Sequence, residues 1–266
     1  MSLHYVLATV PDWFEITSST ESEILGTTKL HFDNAIGVIE VDLRVRTQDC
    51  IVAVQEQVPG THYPATCHER HLQSDQHFCI GFNAGHGIVS MDHAVVWWGQ
   101  LKHFLKLQRV AERTKRWPPQ QEIAHGSAGY HQLAAIDAAR QLGIEHEYMA
   151  MLNGEPAWFS DQALELDSEN RLEHGSLPCP VGCRQHGVQL QRSACCRADL
   201  VAKLVTEEKL RREKIDAYYA LARILGEKCC GSMLTCGLRE PDPEEPSLVN
   251  PTSQRSLPRP PEIIFA

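Results

Sequence analysis

THYPATCHERHLQSDQHFCIGF, residues 61–82, sets two cysteines, Cys67 and Cys79, and four histidines, His62, His68, His71 and His77, in one short run. Three readings of it stand side by side. Cys67, His68, His71, His77 and Cys79 are all acceptable zinc ligands at close spacing. Cys79 is alternatively a nucleophilic thiol with the other residues as its setting. Flanked by Phe78 and Ile80, Cys79 is thirdly a buried structural thiol. The flanking sequence has to separate these readings.

Upstream, TKLHFD (28–33), AIGVIEVDLRVRT (35–47) and CIVAVQEQV (50–58) alternate apolar with polar residues and are rich in Val and Ile, the pattern of half-buried strands. Asp33-Asn34 and Thr47-Gln48-Asp49 supply turn residues between them. Short connections between successive strands favour an antiparallel meander. Val58-Pro59-Gly60, with Pro64 close behind, ends the strand region. Downstream, NAGHGIVSMDH (83–93) reads as a loop. Trp97, Trp98, Leu101, Phe104, Leu105 and Gln108 then recur at helical spacing, predicting an amphipathic helix over 95–114 that Trp117-Pro118-Pro119 stops. On its other face Lys102, Lys106, Arg109, Arg113 and Arg116 form a stripe that is either a solvated surface or a docking face for an acidic partner.

Residues 126–144 predict another helix, with Ser127 as N-cap and Gly143-Ile144 as a left-handed C-terminal cap. The polar stretch 159–178 reads as a linker. A cysteine-bearing helical module follows at 179–239, with a long helix near 197–225 ended by Gly226. Residues 240–266, rich in Pro, acids and Ser, have the composition of a disordered tail.

The chain has 266 residues, 42% apolar and 22% charged, an ordinary globular composition. No stretch approaches the apolar length of a membrane span. The N-terminus lacks the basic segment and cleavage site of a signal peptide, so a cytoplasmic address is expected. The net charge of −9 argues against nonspecific nucleic-acid binding by the whole chain. It is uneven: residues 1–65 carry nine acids against three bases.

The order of features resembles the ubiquitin-conjugating enzymes: a strand meander, a proline-containing extended segment, a His-Pro-Asn-like element, a cysteine with apolar flanks, then a tryptophan helix. In that family the Asn stands eight residues before the acceptor cysteine. Here ERH takes the place of His-Pro-Asn, with His71 eight residues before Cys79, and FCIGF takes the place of the cysteine motif. Bacterial relatives from ubiquitin-like conjugation operons share further elements. These are Pro-x-x-Cys-x-x-x-His (Pro64, Cys67, His71), WW-x-x-L-x-x-F-L (Trp97 to Leu105), Trp117-Pro118, and His125-Gly126 to Gly129. The resemblance covers roughly residues 1–155 and assigns 1–158 to the catalytic domain. It implies an α+β fold in which an antiparallel meander packs with helices. It also implies that Cys79 receives a ubiquitin-like modifier from an adenylating enzyme as a thioester, for transfer to a protein target. His71 then serves as an oxyanion donor, a loop organiser or a base. Cys67 and His68 belong to the approach loop. His77 either depresses the Cys79 pKa or is a solvent-exposed loop histidine. His125 either faces the cysteine or caps the loop before Ser127. The departures are His71 for Asn, the missing Pro, and a family first helix that is hard to see in PDWFEITSSTESEIL (11–25). They motivate a rival reading, a noncatalytic modifier-binding or scaffold protein of the same fold.

Seven further cysteines, Cys179, Cys183, Cys195, Cys196, Cys229, Cys230 and Cys236, lie far downstream, with His186 nearby. In a cytoplasmic chain such cysteines point to metal rather than disulfides. Structural zinc, in one site or two, is the expectation, and it would supply folding energy to a module with little core. Buried unligated thiols and a redox role are the alternatives. The thioester chemistry itself needs no cofactor.

Overall fold

The structure is a computed structural model and describes residues 2–32, 37–48, 51–118, 121, 123–160, 165–169 and 171–239. The expected Asp33-Asn34 turn, Asp49, Cys50, Pro119 and the 240–266 tail lie outside the described residues.

Period-two alternation builds a four-stranded antiparallel sheet from β1 (Phe14–Ser19), β2 (Glu23–Thr28), β5 (Asp42–Gln48) and β6 (Ile51–Glu56), in the order β1-β2-β5-β6. A hairpin, β3 (Leu30–Phe32) with β4 (Gly37–Ile39), is inserted between β2 and β5. Ile24, Val45 and Val54 stand opposite one another across three strands and are fully buried. A one-residue slip would turn that row to solvent, so the apolar pattern fixes the register. Against this face packs α2 (Met91–Thr114), which buries Trp97, Trp98, Leu101, Phe104 and Leu105. The Trp98 indole N–H donates to the Val6 carbonyl (3.0 Å) and ties down α1 (Ser2–Ala8).

Four expectations are corrected. PDWFEITSSTESEIL holds strands β1 and β2, and the helix ahead of the sheet is α1. The run 35–47 is not one strand: it breaks at Glu40-Val41, where the buried Thr28 hydroxyl accepts the Val41 N–H (2.9 Å) and steers the chain from hairpin to sheet. Ser127 precedes α3 (Ala128–Leu142) but is itself helical (φ −68°, ψ −16°) and makes no side-chain cap bond. An N-cap needs an extended backbone to aim its oxygen back at the first turn. The real side-chain cap is Ser90, which accepts the His93 N–H (3.2 Å), so α2 starts four residues ahead of the expected 95. Gly143 caps α3 as expected, at φ 78°.

A second core joins α3, α4 (Glu145–Leu152) and α5 (Ala198–Ile224). Ala135, Ala138 and Ala139 are completely buried on α3 and let α5, carrying Val201, Leu204 and Val205, approach closely. The sequence reading grouped α3 and α4 with the first domain; this core groups them with α5. A small hairpin, β7 (Arg184–Gln185) and β8 (Val188–Gln189), precedes α5. After α5 the chain returns to the first core, where Met233, Cys236 and Leu238 are buried. There the Leu234 N–H donates to the Lys115 carbonyl (2.9 Å), and the Thr235 hydroxyl donates to Glu69 (2.6 Å). Among the described residues no helix is long and apolar enough to cross a membrane.

Candidate active site

Residues 67–79 fold into a tight double loop against the edge of β6. Cys67 and Leu72 exchange backbone hydrogen bonds around a 3-10 turn at His68–Arg70, and the Phe78 N–H donates to Val54 of β6 (2.8 Å). The turn is anchored from beneath by Arg70, which is buried. Its Nε donates to the Gln108 amide oxygen of α2 (2.8 Å), and the Gln108 amide returns a bond to the Arg70 carbonyl (2.5 Å). His71 ends the turn in the left-handed region (φ 56°, ψ 33°), which Asn, Asp and His enter more readily than other side chains. The backbone thus gives a reason for a histidine where the resembled family has Asn. The His71 carbonyl accepts the Cys79 N–H (2.9 Å), fixing the thiol-bearing residue to the turn. Beyond Cys79, Gly85 (φ 87°) accepts the Val52 N–H at its carbonyl (3.0 Å). A Cβ there would meet the Val52 carbonyl oxygen at 2.1 Å, so only glycine lets this loop close on the sheet edge.

Cys79 is half-buried on the wall of a groove of roughly 840 Å³. His71, Leu107 and Trp117 line it from the first core, and Ile123, His125, Tyr130 and Tyr218 from the chain beyond it. Burial raises the thiol pKa and outweighs the opposing influence of the neighbouring Gln73 side chain and Gly81 amide. The thiol is therefore protonated at neutral pH. Iodoacetamide labelling of Cys79, followed by peptide mass spectrometry, is expected to accelerate about tenfold per unit between about pH 7 and 8.5, as the thiolate fraction grows. A rate already flat at pH 7 would contradict a raised pKa.

His71 packs 4.9 Å from Trp117 and 4.8 Å from His125, ring centroid to centroid. Burial, with His125 beside it, pulls its pKa down to about 3. Burial and nearby His68 pull His125 down to about 4. Both rings are neutral at pH 7. His125 stacks on Tyr218 of α5 (4.9 Å), and its Nε2, like Trp117 Nε1, is buried with no hydrogen-bond partner among the described residues. The Tyr218 hydroxyl and Nδ1 of His68 share a hydrogen bond, and Nε2 of His68 pairs with Glu227. The chain after Pro118 thus supplies part of the groove wall. His77 points elsewhere. It is buried, held by Asp75 (2.9 Å) on one ring nitrogen and Arg46 (3.1 Å) on the other, and is not among the groups that shift the Cys79 thiol. It is not the solvent-exposed histidine of the bland reading either.

Residues 13–119 match the family model of the prokaryotic E2 domain. Residues 124–238 match the model described as a cysteine-rich domain C-terminal to the E2 domain. The chain thus carries a prokaryotic E2 domain followed by its cysteine-rich companion domain. No curated protein and no solved structure gives a match. The α+β architecture with its antiparallel sheet fits the ubiquitin-conjugating-enzyme-like fold, and the family places the chain in ubiquitin-like conjugation generally.

In the cysteine-rich domain, Cys179, Cys183, Cys195 and Cys196 are free thiols that flank the β7–β8 hairpin. The remaining three, Cys229, Cys230 and Cys236, lie at the first core beside Cys67. His186 is exposed at the turn of the β7–β8 hairpin. Cys67 and Cys230 stand thiol to thiol (2.9 Å), and among the described residues no group of three or more His, Cys, Asp or Glu is already disposed to hold a metal ion.

Sequence reasoning missed Gln73, six residues before Cys79, and Tyr218. Each had a faint signal: a carboxamide close to Cys79, and a Tyr-Tyr pair in an otherwise charged helix.

Proposed function

We propose that this E2 protein accepts the C-terminus of a ubiquitin-like modifier from an adenylating enzyme as a thioester on Cys79, and passes it to an amine of a target protein. In the first step the Cys79 sulfur attacks the thioester carbonyl presented by the activating enzyme. The new C–S bond forms, that enzyme's thiol leaves, and the Cys79 proton goes to the departing thiolate or to solvent. In the second step the amine attacks the Cys79 thioester. The oxyanion collapses, Cys79 leaves as thiolate, and the proton lost by the nitrogen neutralises it.

The observation that carries this reading is the half-buried Cys79 thiol on the wall of an open groove that Gln73 also lines. Gln73 is suited to meet the charge that develops on the carbonyl oxygen. His71, neutral at pH 7, acts as loop organiser through its backbone bond to Cys79 rather than as a base. The unpartnered His125 Nε2 and Trp117 Nε1 suit the backbone of an extended modifier tail. The cysteine-rich domain, in the same proposal, is held by structural zinc on its thiols.

The test is incubation with the cognate modifier, its activating enzyme and ATP. A thiol-sensitive adduct is expected on wild type, none on Cys79→Ala, and a thiol-resistant oxyester on Cys79→Ser. An adduct that persists in Cys79→Ala would move the acceptor elsewhere. No adduct on wild type would leave the noncatalytic modifier-binding protein.

A further inference from the structure

The ten cysteines do not divide by domain. Cys67 sits in the loop that carries His71, 112 residues before the cysteine-rich domain's first cysteine, Cys179, yet its thiol is buried against the last three. Its sulfur lies 2.9 Å from that of Cys230, and Cys229, Cys230 and the buried Cys236 pack in the same core as Cys67. The other quartet, Cys179, Cys183, Cys195 and Cys196, flanks the β7–β8 hairpin, where the Cys179 N–H donates to the Leu190 carbonyl (2.7 Å) and the Leu190 N–H to the Cys183 carbonyl (2.8 Å).

The C-terminal cysteines share a local backbone device. The amide of Gly231 donates to the Cys229 sulfur (3.4 Å) and that of Ser232 to the Cys230 sulfur (3.5 Å). In both cases the donor is two residues after the cysteine, and Gly231 (φ 73°) provides the turn; Gly182 (φ 75°) makes a turn between Cys179 and Cys183, its N–H donating to the Cys179 carbonyl (3.0 Å). The Arg70 N–H donates to the Cys67 carbonyl (3.1 Å) and closes the turn next to this thiol. Amides aimed at sulfur favour thiolate over thiol and are the support that a thiolate ligand set needs. Glu69, held by Thr235, stands close to the same group.

We infer that Cys67 of the E2 domain completes a four-thiolate zinc site with Cys229, Cys230 and Cys236, separate from a second site on Cys179, Cys183, Cys195 and Cys196. This deepens the zinc reading of the cysteine-rich domain and rests on it. Each ion replaces thiol protons, which go to solvent. At about 2.3 Å per Zn–S bond, tetrahedral sulfurs stand roughly 3.7 Å apart. The Cys67–Cys230 pair therefore opens when the ion enters, and its thiol–thiol contact is exchanged for metal bonds. The consequence is a clamp: an ion at Cys67 fastens the turn bearing His71 and Gln73 to the chain that follows Tyr218.

The full-length chain, purified under reducing conditions with zinc, is expected to hold two ions per molecule by metal analysis. Cys67→Ser and Cys229→Ser are each expected to hold one, as is Cys183→Ser, and the Cys67→Ser/Cys183→Ser pair none. A measurement on wild type guards against misfolded variants. Iodoacetamide labelling with and without a chelator is expected to unmask Cys67 together with Cys229, Cys230 and Cys236, while Cys79 labels equally in both. No zinc in wild type would overturn the zinc reading as a whole. Zinc with two ions retained in Cys67→Ser, or with Cys67 labelling indifferent to chelator, would overturn the role of Cys67 alone. A native mass two daltons low, with Cys67 and Cys230 in one crosslinked peptide pair, would replace the site by a disulfide. None of these readings uses the modifier, so they stand or fall apart from the thioester assay.

Discussion

Replacing Gln73 by alanine is expected to slow discharge of the Cys79 thioester onto an amine by about 100- to 1000-fold, roughly 2.7–4 kcal/mol, the cost of losing one donor to a developing oxyanion. Charging of Cys79 by the activating enzyme should fall far less, because that enzyme brings its own catalytic groups to the shared transition state. The argument is geometric. The Gln73 N–H donates to the His77 carbonyl (2.9 Å) and the Gln73 carbonyl accepts the Gln76 N–H (2.8 Å), so its backbone is pinned on both sides. The side chain then lines the same groove as the Cys79 thiol. A thioester carbonyl formed on that sulfur would share this groove with the Gln73 amide. Gln73→Glu keeps the shape, removes the donor and adds a negative charge, and should be at least as slow as Gln73→Ala. Single-turnover discharge to free lysine, beginning from preformed thioester, separates the two steps. Discharge by Gln73→Ala within threefold of wild type would remove Gln73 from the chemistry and return the donor role to His71.

Much of this site was legible because it depends on order along the chain. The proline segment, the eight-residue interval from His71 to Cys79 and the tryptophan helix are sequence-local, and the family match over 13–119 bears out the resemblance they carried. What was hidden depends on contacts between distant residues. His77 is two residues from Cys79, which in a plain strand would put both side chains on one side. The positive φ of Gln76 (70°) and the Asp75 bond to the His77 N–H (3.2 Å) turn the chain there, and the ring goes to Arg46 instead. Tyr218 reaches the groove only because α5 packs on α3, and no local pattern announces that.

The fold shows the same division. Helix α2 was readable from its apolar spacing, since a 3.6-residue period survives in any environment. Strands β1 and β2 were not read as such, because PDWFEITSSTESEIL is polar over most of its length; β1 buries only Phe14. The break between β4 and β5 depends on Thr28, eleven or more residues away, and on its exchange of hydrogen bonds with Ile39 and Val41. Likewise, Cys67 looked like part of an approach loop because its partners lie more than 160 residues on.

Replacing Glu208 by alanine is expected to destabilise the cysteine-rich domain by about 3–5 kcal/mol, the range for breaking a buried ion pair by removing one partner. Glu208 is 1% exposed on α5. Its carboxylate accepts the Tyr148 hydroxyl of α4 (2.8 Å), two bonds from Arg211 (2.7 and 2.8 Å) and one from Arg212 (2.7 Å). Burial alone would raise its pKa, but Arg211, Tyr148 and Arg212 outweigh it and hold the carboxylate below its ordinary value. A lowered folded pKa means the stabilisation is full above the ordinary carboxylate range and is lost as pH falls through the folded value. Alanine leaves Tyr148 without its acceptor and two guanidinium groups without their anion, on the helix that carries Tyr218 to the groove. Glu208→Gln keeps volume and an acceptor for Tyr148, so its loss should be smaller. Hydrogen exchange is the decisive readout. Protection should fall in 128–152 and 198–212, while β6 (51–56) keeps its protection if the E2 core holds alone. A loss below about 1 kcal/mol in urea titration for Glu208→Ala would mean that solvent reaches the two arginines and that the second core does not depend on this carboxylate.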